Sequence, residues 1–458
     1  MFARARPTLQ RRGQQGAAAL IVVMLLFFII SLVAAYTSRN LIFEQRTAAN
    51  QYRSTQAMEA AEAGVEWAIA QLNAGRVLNS CAASTTTAND SFRQRYLTIN
   101  STSGAITRRN ASGGGSVTPS CVFNGSGGGA TWDCRCPLAD TATTALVSPT
   151  GAGTATAPAF IVRFQPAVTS SPRPDLIHLD SYSCTRLNAI DCLNFNTNRG
   201  GTGDGVAAVR VTLALRGALN RIPAAPLTVM GAVANVPSGV VLAVSNTDAV
   251  SNGITVHAAG SLPSAGLSVS STPGTAAASS LISGDTTLLP AAQAGFSATD
   301  LRFANFFGMS PQTYRNQPGL PWLDCSAGCD ADDIEDVMEL NPGRPIWLTG
   351  SAGTVTIDED LGSNIQPALL IVDGDLTIGS GATLRGLIYH RAKPAGAGNT
   401  VWNVSGTSTV HGAVVVEGGL TLAGSAATPT LVYNPAVLKA LRVSTGSFVR
   451  VPGSWKDF

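Results

Sequence analysis

Hydrophobic positions follow three different patterns along the chain. Residues 17–35, AAALIVVMLLFFIISLVAA, form a 19-residue stretch with no charge and a single serine. From residue 57 the pattern becomes periodic: Ala57, Ala60, Ala61, Gly64, Val65, Ala68, Ile69 and Leu72 recur at steps of three and four, which predicts one buried helical face. Glu59, Glu62 and Glu66 make a separate acidic stripe, and Gly75 is a natural stop. The two segments join into one helix from about residue 16 to 73, roughly 85 Å long at 1.5 Å per residue.

From residue 206 the pattern shortens to β-branched runs at 206–215, 227–236, 240–244 and 253–256, separated by Pro, Gly, Asn and Ser. Such spacing predicts many short strands in a sandwich or a solenoid. The last part of the chain repeats itself: a shift of 44 residues lays LIVDGDLTI at 370–378 on VVVEGGLTL at 414–422, and LIYH at 387–390 on LVYN at 431–434. Gly406, Gly412, Gly418 and Gly424 follow one another at steps of six. Strands turning at regular glycines predict coils of a β-solenoid, in which each coil buries its apolar face against the next. An antiparallel meander of two similar hairpins is the alternative. The FANFFGM segment at 303–309 is the densest aromatic cluster and reads as core, or if exposed as a partner patch. Residues 330–340 form an acidic helix candidate.

Residues 77–200 carry little periodicity. Ser, Thr, Gly and Asn dominate 101–131, with glycine triplets at 113–115 and 127–129, so regular structure is expected to be scarce there. Six of the eight cysteines lie in this region. Cys134 and Cys136 flank one residue, too close for easy mutual bridging, and are expected to reach Cys81 and Cys121; Cys184 and Cys192 would close a local loop, and Cys325 and Cys329 would pair further on. The expected architecture is α+β but mainly β: a basic leader at 1–16, a long helix at 17–76, a cysteine-containing irregular or β region at 77–200, a β-rich region with a short acidic helix at 201–340, and a repetitive, solenoid-like domain at 341–458.

Charge settles the compartment. Only 13% of the 458 residues are charged, 45% are hydrophobic and 47 are glycine, which disfavours both a charge-laced helical bundle and wholesale disorder. The net charge of +2 gives no bulk attraction to nucleic acid, and only three of the basic residues are lysine. Arg4, Arg6, Arg11 and Arg12 precede the apolar stretch, whose helix would rise roughly 28 Å, close to the ~30 Å of a bilayer core. The basic flank stays cytoplasmic and the remainder is exported. All eight cysteines fall on the exported side, as structural disulfides in an oxidising compartment require. A cleaved secretory signal ending at Val33-Ala34-Ala35 is the competing reading, against which stand the length of the apolar segment and the helical pattern that follows it.

Candidate chemistry is sparse. The sequence has no Gly-Lys pair for a Walker loop and no Gly-x-Ser-x-Gly elbow. His178, His257, His390 and His411 lack the spacing that sets two metal ligands on one helix face, and Cys134-Arg135-Cys136 has no nearby ligand to complete a zinc or redox site. Asp330, Asp332, Asp333 and Asp336 offer oxygen ligands for calcium but lack the glycine of the calcium loop; a helix start favoured by the macrodipole explains them more simply. Asp373-Gly374-Asp375 reads as a turn. No enzyme activity, cofactor, metal or nucleic-acid partner is expected.

The strings RGQQGAAAL at 12–20, EQRTAAN at 44–50 and QAMEAAEAGVEWAIAQLN at 56–73 resemble the N-terminal domain of the PilX family of type IV pilus assembly proteins. The resemblance implies a minor pilin or pilin-like protein of the Gram-negative envelope, anchored in the inner membrane with its body in the periplasm or displayed outside the cell at a pilus tip. It also implies trimming by prepilin peptidase after Gly16, so that Ala17 becomes the first residue, or after Gly13. Its partners would be the major pilin and other minor pilins. One departure is informative. With Ala17 first, the fifth residue is Ile21, where major pilins carry a glutamate that neutralises a neighbour's terminal amine, and no carboxylate occurs in residues 1–40. An uncompensated charge in an apolar filament core is costly, so such a subunit suits an end of the stack, where it primes assembly or forms the tip. The alternatives are a pseudopilin of a type II secretion system and an anchored or secreted β-solenoid adhesin or polysaccharide-acting enzyme. Gly16→Val is expected to leave the leader attached while the protein still inserts. Sequencing the mature N-terminus checks this, and a chain starting at Tyr36 would make the segment an ordinary secretory signal.

Overall fold

The computed structural model describes residues 15–110, 117–124, 131–138, 158–167, 175–185, 205–350, 354–393 and 397–457. A single helix, Gln15–Leu72, runs through both apolar regimes of the N-terminal sequence. No proline interrupts it, and Gly64 is the one glycine beyond its first turn. Its C-terminal part lies on a seven-stranded antiparallel sheet ordered Gly446–Arg450, Val206–Gly217, Leu176–Cys184, Ala159–Pro166, Ser120–Asn124, Thr131–Arg135, with Lys456–Asp457 pairing beside Val206–Gly217. Ala61, Val65, Ala68 and Leu72 pack there against Phe160, Val162, Leu179, Val211 and Phe448.

Four of those strands come from residues 120–184, where little regular structure was expected, and Leu97–Ile99 and Ile106–Arg108 add a small antiparallel pair. The apolar alternation that makes these strands is real but short, AFIVRF at 159–164 and LIHL at 176–179, and polar, glycine-rich sequence separates the segments. Cys121 and Cys134 sit directly opposite each other on adjacent strands and are bonded, while Cys81 bonds Cys136 and ties the chain after the helix to the same hairpin. Closing a loop of 55 residues removes about 4 kcal/mol of chain entropy from the unfolded state. Cys325 bonds Cys329; Cys184 is disulfide-bonded, and Cys192 lies outside the described residues.

The second unit is a pair of parallel sheets. From Ile346–Thr349 onward, successive strands alternate between a large sheet, with Ala368–Val372, Thr383–His390, Thr409–Val416 and Thr430–Val432, and a small one made of Thr354–Ile357, Asp375–Ile378, Thr400–Ser405 and Leu420–Ser425. Every pairing among them is parallel, so the antiparallel meander is not what forms. Leu370 pairs with Ile388 and Ile388 with Val414, so the 44-residue repeat spans two successive steps, one of 18 and one of 26 residues. Leu348, Leu370, Ile388 and Val414 from one sheet meet Ile357, Leu376, Trp402 and Leu422 from the other in one core.

Strands on both sides of residue 340 share one sheet. Leu227–Val229 and Leu242–Ser245 join the same large sheet as the repeats, beside Thr409–Val416 and Thr430–Val432, so residues 201–340 and 341–458 do not separate at 340. After Thr430–Val432 the chain leaves through the helix Pro435–Val443 and its last strands return to the antiparallel sheet. The glycine period is likewise not a turn period. Gly412 and Gly424 lie within strands, and Gly412, at φ 147°, approaches so closely that a Cβ would stand 1.8 Å from the carbonyl oxygen of Gly386. Only glycine permits that contact.

The large sheet is covered on its outer face too. The helix Ala298–Phe307 brings Phe303 and Phe307, stacked at 4.2 Å, against Tyr389, and Tyr314, Leu438 and Leu441 complete a second core with Ile371 and Val415. The aromatic segment is therefore interior. Ala368–Val372, buried at every position, reads as the continuous apolar run typical of parallel strands covered on both faces. His390 points to the inter-sheet side with Trp402 and is fully buried, and desolvation lowers its pKa to about 4 although the Gly374 backbone and Asp375 pull it upward. Because the unfolded chain takes up this proton below pH 6.5 and the native state only near 4, stability should fall across that window on acidification, by roughly 3 kcal/mol in total. Urea unfolding from about pH 7 to about pH 4.5 should reveal the slope, and His390→Met should flatten it.

Candidate assembly surface

The long helix divides into two parts with opposite surroundings. Residues 18–52 are exposed throughout, and none of their large apolar side chains is covered: Phe27 is 73% and Met24 68% accessible. This is the one helix among the described residues long and apolar enough to cross a membrane, by length and composition. Gly16 lies exposed in its first turn with Ala17 next along the helix, while Gly13 and the four leader arginines lie outside the described residues. Ile21 is 63% exposed, and the helix carries no carboxylate before Glu44.

The other part is docked through small residues. Ala57, Ala60, Ala61 and Gly64 are buried against the sheet, and a Cβ on Gly64 would fall 2.3 Å from Ser181 Oγ and 2.9 Å from the Phe160 ring. The Ser183 hydroxyl donates to the Ala57 carbonyl. Trp67 packs its indole between Phe92 and Phe160 at 5.4 and 5.6 Å. The AAEAG string at 60–64 is thus a contact surface in which alanine and glycine bring two backbones together.

The end of the helix is held by three polar residues. Asn73 accepts from the Phe448 amide at 2.8 Å and donates to its carbonyl at 2.9 Å, clamping the helix to the last long strand. Arg93 donates twice to the Leu72 carbonyl and also to Gly446 and Gly343. Arg344 donates to Asn73 Oδ1, Gly446 O, Ser447 Oγ, Gly319 O and Pro318 O. Both guanidinium groups are buried without a carboxylate in contact among these partners; desolvation lowers Arg93 to about 9, helped by Arg344, and lowers Arg344 to about 10. Both remain cations at neutral pH. The negative end of the helix dipole and a ring of carbonyl oxygens stand in for a counter-ion. Helix, antiparallel sheet and parallel unit meet at this node.

The remaining candidates are structural. Asp330 and Asp333 form the capping box of the helix Ala331–Leu340, which occupies those two carboxylates. Asp373 accepts from Trp347 Nε1 at 2.6 Å, and Asp375 accepts from the Val401 amide and pairs with Lys393 at 2.6 Å. His257 pairs with Asp285 at 2.6 Å, His178 meets Thr212, and no two histidines are brought together. Sequence reasoning missed Arg93 and Arg344 because nothing local marks an arginine for burial. The one local signal was the Ser91–Gln94 capping box, which places Arg93 in a helical turn.

Residues 15–66 match the family model described as PilX N-terminal. The match covers the exposed stem and the small-residue contact, and the chain is pilin-like in this helix. No curated protein matches the sequence. Among solved structures the chain is similar to the competence-associated pilin ComZ from Thermus thermophilus, at 13% identity over 89% of this chain and 97% of that one, with a TM-score of 0.22. So loose a superposition carries no argument about the body.

Asn73→Ala should leave the Phe448 amide and carbonyl without partners, costing roughly 2–3 kcal/mol in urea unfolding. Amide exchange at Phe448 should accelerate in the same variant, whereas a variant indistinguishable from wild type in both would remove the node's structural role.

Proposed function

We propose that the protein is a minor pilin-like subunit of a type IV pilus that primes assembly or stands at the filament tip, without enzymatic activity. Residues 17–35 anchor it in the inner membrane, the body occupies the periplasm, and prepilin peptidase cleaves after Gly16. The observation that carries this reading is the coincidence of the PilX N-terminal match with a helix that is bare and apolar in its first half and docked in its second. Such a helix offers one surface to lipid or to neighbouring subunits while its far end is fixed to the body.

Two features favour a terminal position. The missing carboxylate near Ile21 leaves a neighbour's amine uncompensated in an apolar environment. The body of roughly 380 residues is also bulky for close helical stacking, and its alternating parallel sheets form on this reading a β-solenoid, a rigid stack suited to display. Major pilin and other minor pilins are the partners on this reading. Deleting the gene should lower the number of pili and leave the structure of the remaining ones unchanged. Immunogold labelling of sheared pili should place the protein rarely and at ends; labelling all along every filament, at numbers near those of the shaft subunit, would refute the terminal role.

A further inference from the structure

Three adjacent strands of the large parallel sheet, Ile346–Thr349, Ala368–Val372 and Thr383–His390, end side by side. The turns that follow them, at Gly350, at Asp373 and Gly374, and at Arg391 and Lys393, wall a cavity of about 570 Å³. Its polar groups are fixed from behind. Asp373 Oδ2 accepts from Trp347 Nε1 at 2.6 Å, which leaves Oδ1 without a partner among the described residues. Arg391 is held through Nε, 3.2 Å from the buried Glu417 carboxylate, and its guanidinium stands over the rings of Phe303 at 5.2 Å and Trp347 at 5.8 Å. Its terminal nitrogens have no hydrogen-bond partner among the described residues. Lys393 Nζ, 2.6 Å from Asp375, completes the donors. A fixed acceptor beside fixed donors suits a ligand that both donates and accepts.

The row continues past the cavity. Trp347 is in register with Trp322 of the edge strand Trp322–Asp324, so both indoles stand on the same face of the sheet. Trp322 is 60% exposed, uncommon for so large an apolar side chain. From Trp322 through Trp347 and Asp373 to Arg391 the row crosses four neighbouring strands, roughly 14 Å at about 4.8 Å per strand.

Charge decides the class of ligand. Arg391 and Lys393 are matched by Glu417 and Asp375, and Arg315, whose guanidinium stands over Trp347, by Asp373. Asp300 and Arg302 of the overlying helix add one charge of each sign. These groups leave no surplus cation to hold a phosphate or a uronate, and no surplus carboxylate to hold a metal or an amine. A sugar fits instead, because its hydroxyls can donate to Asp373 and accept from Arg391 and Lys393 while its apolar C–H face lies on an indole.

We propose that this row binds an uncharged oligosaccharide, with a pair of sugar hydroxyls bridging Asp373 Oδ1 and the Arg391 fork, Lys393 on a further hydroxyl, and Trp322 as the stacking platform at the open end. Its use as the ligand of a displayed body rests on the tip reading given above; the binding itself does not.

The test uses the full chain in a detergent without a sugar headgroup. The probes are immobilised cello-, malto-, manno-, galacto- and N-acetylchito-tetraose as the neutral set, with the tetramer of galacturonate as the acidic arm. Saturable binding to at least one neutral probe is expected, at least about tenfold tighter than to the galacturonate and weakened at least about tenfold by Trp322→Ala and by Asp373→Asn. Asparagine keeps an acceptor for Trp347, and Trp322 is an exposed edge residue, so neither change removes a packed core side chain. A second readout needs no variant: with the bound neutral probe at saturation, acetylation of Lys393 by an N-hydroxysuccinimide ester should slow at least about fivefold, while Lys439 and Lys456 react as before. Absence of binding to every neutral probe, a preference over the galacturonate below about tenfold, a loss below about tenfold in either variant, or unchanged acetylation of Lys393 overturns the proposal. Pilus counts and the position of the immunogold label are measured on cells and stand whichever way the probes bind, so the ligand and the tip role fail separately.

Discussion

The close approach of the helix to the antiparallel sheet at Gly64 is the constraint on which the other arrangements depend. Contact at that distance needs a residue without Cβ, and the flanking Ala57, Ala60 and Ala61 keep the rest of the face shallow enough to follow. Small residues give little hydrophobic area, so the contact is reinforced by groups that larger side chains would have displaced: the Ser183 hydroxyl on a helix carbonyl and the Trp67 indole between Phe92 and Phe160. The result is a helix whose orientation is fixed by backbone proximity at Gly64 together with the packing of Val65, Trp67 and Leu72, while its other end stays clear of the body along its whole apolar length.

The same economy of charge recurs at the helix terminus. Two buried arginines would be costly if isolated, yet each finds an array of carbonyl oxygens, and Asn73 and Leu72 contribute the helix end itself. The node ties residues 72–73, 93, 318–319, 343–344 and 446–448 together. Folding of the C-terminal strand onto the antiparallel sheet and closure of the parallel unit thus both report on the seating of the helix. A pull on the stem would reach both β units through this point.

Burial of Glu417 shows the same principle inside the parallel unit. Its carboxylate receives the Tyr389 hydroxyl at 2.8 Å, the Ala392 amide at 2.8 Å and Arg391 at 3.2 Å, and its backbone carbonyl receives Arg302 from the helix that carries the aromatic cluster. Desolvation raises its pKa, and Arg391 with these hydrogen bonds opposes the rise. The sequence repeat places Glu417 opposite Asp373, and the two have diverged in use: one is the centre of a buried network, the other holds the Trp347 indole at the surface of the aromatic core.

What the sequence determined by itself is local and periodic. The helix Gln15–Leu72 was legible because its apolar stretch and its three-and-four spacing both act between near neighbours, and the PilX-like strings lie wholly within it. The acidic helix was legible for the same reason, as its capping box is complete within four residues. The 44-residue repeat was visible, but its division into steps of 18 and 26 was not, since that depends on which strands pair. Tertiary structure alone decided the rest. The strands between residues 120 and 184 find their partners in Val206–Gly217 and the helix, the supposed boundary at 340 disappears because strands from both sides share one sheet, and Arg93 and Arg344 acquire meaning only where distant carbonyl oxygens converge on them. Interactions across 100 or more residues, such as Arg344 with Gly446, leave no periodic trace in the chain, and so burial of a charge could be read only from the folded molecule.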